Sequence, residues 1–64
     1  GGHIAVLSQQ NGEALADARL IIDGRDTGAR LSGYADGANA VYCCALTEGE
    51  LVQLRDGAAA AIVA

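Results

Sequence analysis

Two uninterrupted apolar runs, residues 40–46 and 58–64, flank a segment that carries the start and stop marks of a short helix. In the first run Val41, Tyr42, Cys43, Cys44 and Leu46 follow one another without a charge, the pattern of a strand covered on both faces and too short for a helix of that composition. This predicts a central strand. Thr47 stands three residues before Glu50, the spacing at which hydroxyl and carboxylate satisfy each other's backbone amides in a capping box. Leu51 and Leu54 share one face, with Val52 beside them. Gly57 predicts a left-handed stop before residues 58–64 run on as the last strand.

Upstream, residues 3–9 (HIAVLSQ) mix apolar side chains on both parities, which predicts a first strand well covered on its two sides. Asn11-Gly12 predicts a two-residue hairpin, because both residues tolerate the positive φ of a type I′ turn, and a second strand should follow directly. Between 14 and 22 every even position is apolar (Ala14, Ala16, Ala18, Leu20, Ile22), while Glu13, Asp17, Arg19 and Asp23 fall on odd ones. That is period two, clearest over 18–23, with a helix over 13–20 as the rival because Glu, Ala, Leu and Arg are strong helix formers. Residues 23–28 (DGRDTG) form a surface turn. Ala29, Leu31, Gly33 and Ala35 then alternate with Arg30, Ser32 and Tyr34 as a third strand with one wet face, Gly33 marking a bulge or a close approach. Residues 36–39 turn the chain again. The order is β-β-β-β-α-β, and turn signals about every 8–12 residues predict a mainly β fold: a small β-sandwich or barrel of about five strands with one short helix, in a single small domain.

Composition decides how such a domain holds together. Of 64 residues 52% are hydrophobic, but fourteen of them are Ala, fifteen are Leu, Ile or Val, and Phe, Trp and Met are absent. A core of such small pieces supplies only about 3–5 kcal/mol, and the usual supplements are disulfides, a metal or association. Association fits best. The lack of Met predicts a piece processed or excised from a longer chain. With four Arg, no Lys and a net charge of −4 there is no cationic stripe for phosphates, so neither nucleic acid nor an anionic membrane is expected as a partner. No apolar run approaches the ~20 residues that span a bilayer.

Candidate chemistry is sparse. Gly1-Gly2-His3 resembles the amino-terminal copper and nickel site, in which a free amine, two amide nitrogens and an imidazole wrap Cu(II) or Ni(II) in a square plane. It requires Gly1 to be the true terminus, and paired glycines are also what a trimmed tag leaves. Cys43 and Cys44 point to opposite faces of a strand, which predicts two reduced core thiols, with intermolecular pairing as the alternative. Residues 23–28 with Asp36 do not fit a calcium loop. Tyr34, on the polar parity, is the candidate anchor for a partner, whereas Tyr42 belongs to the core. The only His lies at the terminus and no glycine-rich phosphate loop follows a strand, so no enzyme is expected.

Three function classes follow, in this order. The first is a non-enzymatic structural or interaction subunit that self-associates or docks into a larger assembly, such as a virion accessory or bacterial assembly component, in a reduced cytoplasmic or virion-associated setting. Its interface is expected at Tyr34, Ile62 and Val63, because the run AAAAIVA lacks the Lys or Pro that normally blunts a strand edge, and a closed homo-oligomer, dimer or trimer, would cover it. The second is a metal-binding module using Gly1, Gly2 and His3. The third is a non-catalytic fragment of a larger enzyme.

Overall fold

The computed structural model describes residues 2–64, and the run expected to be central is central. Strand β5 (Asn39–Leu46) pairs on one side with β1 (His3–Gln10) and on the other with β4 (Ser32–Asp36), both antiparallel. A second antiparallel sheet has β2 (Arg19–Ile22) between β3 (Arg25–Asp26) and β6 (Ala60–Val63), and helix α1 (Glu48–Arg55) joins the sheets. The fold is therefore mainly β, six strands in two small sheets with one short helix. The sixth strand, β3, is the element that the hydrophobic pattern lacks, since its two residues are both charged.

The core lies between the sheets. Leu20 and Ile22 on β2 meet Cys44 and Leu46 on β5, and Leu7, Leu31, Leu51, Leu54 and Ile62 pack around them. Leu20 and Ile22 are the even-numbered residues that period two assigned to the interior. Helix α1 starts as its spacing requires: Glu50 N donates to Thr47 Oγ1 at 3.2 Å and Thr47 N donates to Glu50 Oε1 at 2.8 Å. It ends in a Schellman motif, with Gly57 N on Leu54 O at 3.1 Å, Ala58 N on Gln53 O at 2.9 Å and Gly57 at φ 89°.

The expected hairpin at Asn11-Gly12 does not form. Asn11 is left-handed at φ 58°, but β1 pairs with β5 over its whole length, from His3 opposite Leu46 to Gln10 opposite Asn39. A run of alanines spaced by Glu13 and Asp17 offers β1 little to bury, whereas β5 offers the most apolar strand of the chain, and tertiary packing overrides the turn signal. Residues 12–18 carry no strand; they fold so that Leu15 N donates to Tyr42 Oη at 2.8 Å, and Tyr42 Oη donates to Glu13 O at 3.4 Å. The type I′ hairpin sits instead at Asp23-Gly24, with φ of 50° and 77° and Ile22 opposite Arg25.

The first strand also departs from expectation. Its inward residues Ala5 and Leu7 pack on the core, but Ile4 and Val6 on the other face stand 73% and 63% exposed. Residues with the pattern of a two-sided strand are covered on one side only.

Candidate interaction surface

Register fixes which side chains share the outer face of the β1-β5-β4 sheet. Ile4 lies opposite Ala45, Val6 opposite Cys43 and Ser8 opposite Val41 on one side of β5, while Tyr34 lies opposite Val41 and Ser32 opposite Cys43 on the other. Residues paired in an antiparallel sheet point the same way, so Ile4, Val6, Tyr34, Cys43 and Ala45 share one face around Val41, which is itself buried among its neighbours. The single charge of that face is Asp36, at the corner next to Asn39. Ser8, Gln10, Ser32 and Asn39 complete the face, so a surface that alternation would make polar is here shared about equally by apolar and polar side chains.

The four outer strand edges differ in charge. β3 is Arg25-Asp26 and β4 ends on Asp36, whereas β1 and β6 contain no Asp, Glu, Lys or Arg. The two uncharged edges border one groove, in which Leu7, Ser8 and Gln9 of β1 face Ala60, Ala61 and Ile62 of β6, with Leu20 also lining it. Its void is about 140 Å³.

The residues singled out by sequence separate between these features. Tyr34 is 54% exposed on the outer face, on a strand whose five residues are all exposed, Gly33 and Ala35 on the expected inner parity included. Ile62 lines the groove, half-buried opposite Leu20, whereas Val63 is half-buried opposite Arg19 on the other face of the second sheet, and neither lies on the face that carries Tyr34. Gly1 lies outside the described residues, and the Gly1-Gly2-His3 site with it; Gly2 and His3 are exposed where β1 begins. Among the described residues no three His, Cys, Asp or Glu side chains gather as a metal site, and no helix is long and apolar enough to cross a membrane.

The cysteines divide as adjacent strand residues must. Both are free; Cys44 is buried in the core, while Cys43 is only half-buried on the outer face, which corrects the expectation of two core thiols. Burial pushes the Cys44 thiol above its ordinary value of 9.0, and the charges of Cys43 and Glu50 push it the same way. What the sequence reading missed is the field around Ile4 and Val6. Its signal is the apolar residues on both parities of β1, a pattern that a strand covered within its own chain shares. No family model, curated protein or solved structure matches this chain.

Proposed function

We propose that this chain is a non-enzymatic interaction module that self-associates and docks into a larger protein assembly. The observation that carries the reading is the strand whose sequence is apolar on both parities while its own fold covers one: Ile4 and Val6 stand bare at 73% and 63%. A core without Phe, Trp or Met has little stability to spare, and a neighbour over this field adds apolar burial at about 25 cal/mol per Å². Self-contact centres on Ile4 and Val6, with Ile62 nearest to it across the groove. Tyr34, on the far strand of the same sheet, anchors a further partner, since a tyrosine buries a large area at low entropic cost.

The test is sedimentation from low micromolar to submillimolar concentration. The wild-type mass should rise above the 6.4 kDa of one chain, and the Ile4→Asp, Val6→Asp double variant should stay there. A wild-type mass that remains at one chain throughout would overturn self-association.

A further inference from the structure

From the open junction at the end of β1 we infer a modification site: Asn11 cyclises onto the Gly12 amide without an enzyme, and the product loosens residues 12–18 from the first sheet. Asn-Gly is the pair in which this reaction is easiest, since glycine has no Cβ to shield its nitrogen and leaves the intervening peptide free to turn. Asn11 is exposed and left-handed at φ 58°, and no strand follows it until Arg19. Among the described residues neither its side chain nor the Gly12 amide has a hydrogen bond of good geometry. The failed hairpin thus leaves both reacting groups unheld.

Gly12 N attacks Asn11 Cγ: an N–Cγ bond forms, the Cγ–Nδ2 bond breaks, and the amide proton leaves with Nδ2 as ammonia. Water, the only co-reactant, then opens the five-membered imide. Cleavage between N and Cγ gives aspartate at position 11, and cleavage between N and the main-chain carbonyl carbon gives isoaspartate. The other acidic junctions of this spacing are held. Asp23 Oδ1 accepts from Ala59 N at 3.3 Å, Asp36 closes a ladder with Asn39, and Gly57 N, after Asp56, donates to Leu54 O at 3.1 Å. Each also carries a carboxylate, a poorer electrophile than the amide of Asn11. Asn39, the other Asn of the chain, lies in β5 ahead of the buried Ala40.

Both products act on the same contact. Gln10 pairs with Asn39 and Asn39 with Asp36, so a carboxylate at position 11 stands one place beyond a row that already ends in one. Isoaspartate also lengthens the main chain by one carbon, two residues before Glu13, whose carbonyl accepts from Tyr42 Oη at 3.4 Å. Tyr42 Oη in turn accepts from Leu15 N at 2.8 Å. A shifted Glu13 therefore frees the segment that this hydroxyl ties down.

Incubation of the folded chain at about 37 °C and about pH 8, followed by ion exchange and mass-spectrometric peptide mapping, tests this. Asn11 should convert to both products about tenfold or more faster than Asn39, and faster than at about pH 6, because base generates the attacking amide anion. Gly12→Ala, whose Cβ meets nothing nearer than 3.7 Å, should fold as before and slow the conversion by about tenfold or more. In the separated product the Leu15 amide should exchange several-fold faster relative to the amides of β5. Asn11 converting no faster than Asn39, or as fast at the lower pH or in Gly12→Ala, overturns the site. Conversion that leaves Leu15 exchange unchanged overturns its effect on residues 12–18.

Discussion

Gly33 lies under the ring of Tyr42, its partner across the β4-β5 ladder, so closely that a Cβ at position 33 would stand 2.7 Å from Cε1 and 2.9 Å from Cδ1. The ring has no room to yield, because Tyr42 is fully buried and its hydroxyl is held by Leu15 and Glu13. Gly33→Ala should therefore destabilise the fold by about 1–3 kcal/mol, overpacking exceeding the ~0.4–1 kcal/mol that alanine gains by restricting the unfolded chain. A urea midpoint unchanged or raised would contradict this contact.

The Tyr42 hydroxyl is the tie that holds residues 12–18 against the first sheet. Tyr42→Phe keeps the ring but leaves the part-buried Leu15 amide without its acceptor at 2.8 Å, a loss of about 1–3 kcal/mol. Exchange at the Leu15 amide should quicken more than exchange in β5. Equal protection in both proteins would show that the tie contributes little.

Two glycines separate a real hairpin from an apparent one. Gly24→Ala forces a Cβ into the left-handed region at φ 77° and should cost about 1–2 kcal/mol. At Gly12 φ is not positive and a Cβ meets nothing nearer than 3.7 Å, so Gly12→Ala should be neutral or stabilising by up to about 1 kcal/mol. Thermal midpoints of the pair decide it, and the opposite order would restore the hairpin to Asn11-Gly12.

At the helix start, Thr47→Ala removes the acceptor for Glu50 N and should cost about 0.5–2 kcal/mol. Glu50→Gln retains an oxygen for Thr47 N at 2.8 Å and should cost less. Chemical denaturation of both variants checks the order.

The two thiols should differ in rate and in pH response. Cys43, half-buried on the outer face, should label faster than buried Cys44 in the native state. Because the folded-state value of Cys44 is raised, its contribution is complete below the ordinary thiol value of 9.0 and is lost as pH climbs through the folded one. Stability should thus decline above about pH 9 in the wild type, and more shallowly in Cys44→Ala. Parallel pH profiles would remove the assigned cause.

What could be read from the chain alone depended on the distance over which each feature is determined. The Thr47–Glu50 box and the Gly57 stop are set by residues a few positions apart, and both stand where the spacing puts them. The parity of Leu20 and Ile22 is likewise local, and their burial follows it. Partner choice is not local: Asn11-Gly12 and Asp23-Gly24 carry equivalent turn signals, and only the burial on offer, alanines after the first and charged β3 closing on Ile21 and Ile22 after the second, separates them. Apolar residues on both parities of β1 report how much cover the strand takes without saying which chain provides it. In the fold only Ala5 and Leu7 face the core, and Ile4 and Val6 stand on the outer face of the sheet.

The interleaving of the two sheets has a kinetic consequence. His3 pairs with Leu46 and Arg19 with Val63, so each sheet closes a loop that contains a strand of the other. Neither sheet is complete until a distant strand arrives: a ribosome must deliver β5 before β1 has a partner and β6 before β2 has its second one. Loop closure of this length precedes the contacts that reward it, which places folding in the milliseconds-to-seconds range of non-local β topologies despite the small size of the chain. Until then β1 is extended, uncharged and unpaired on both edges, and the interval before β5 arrives is the chain's most exposed period for pairing with the wrong strand.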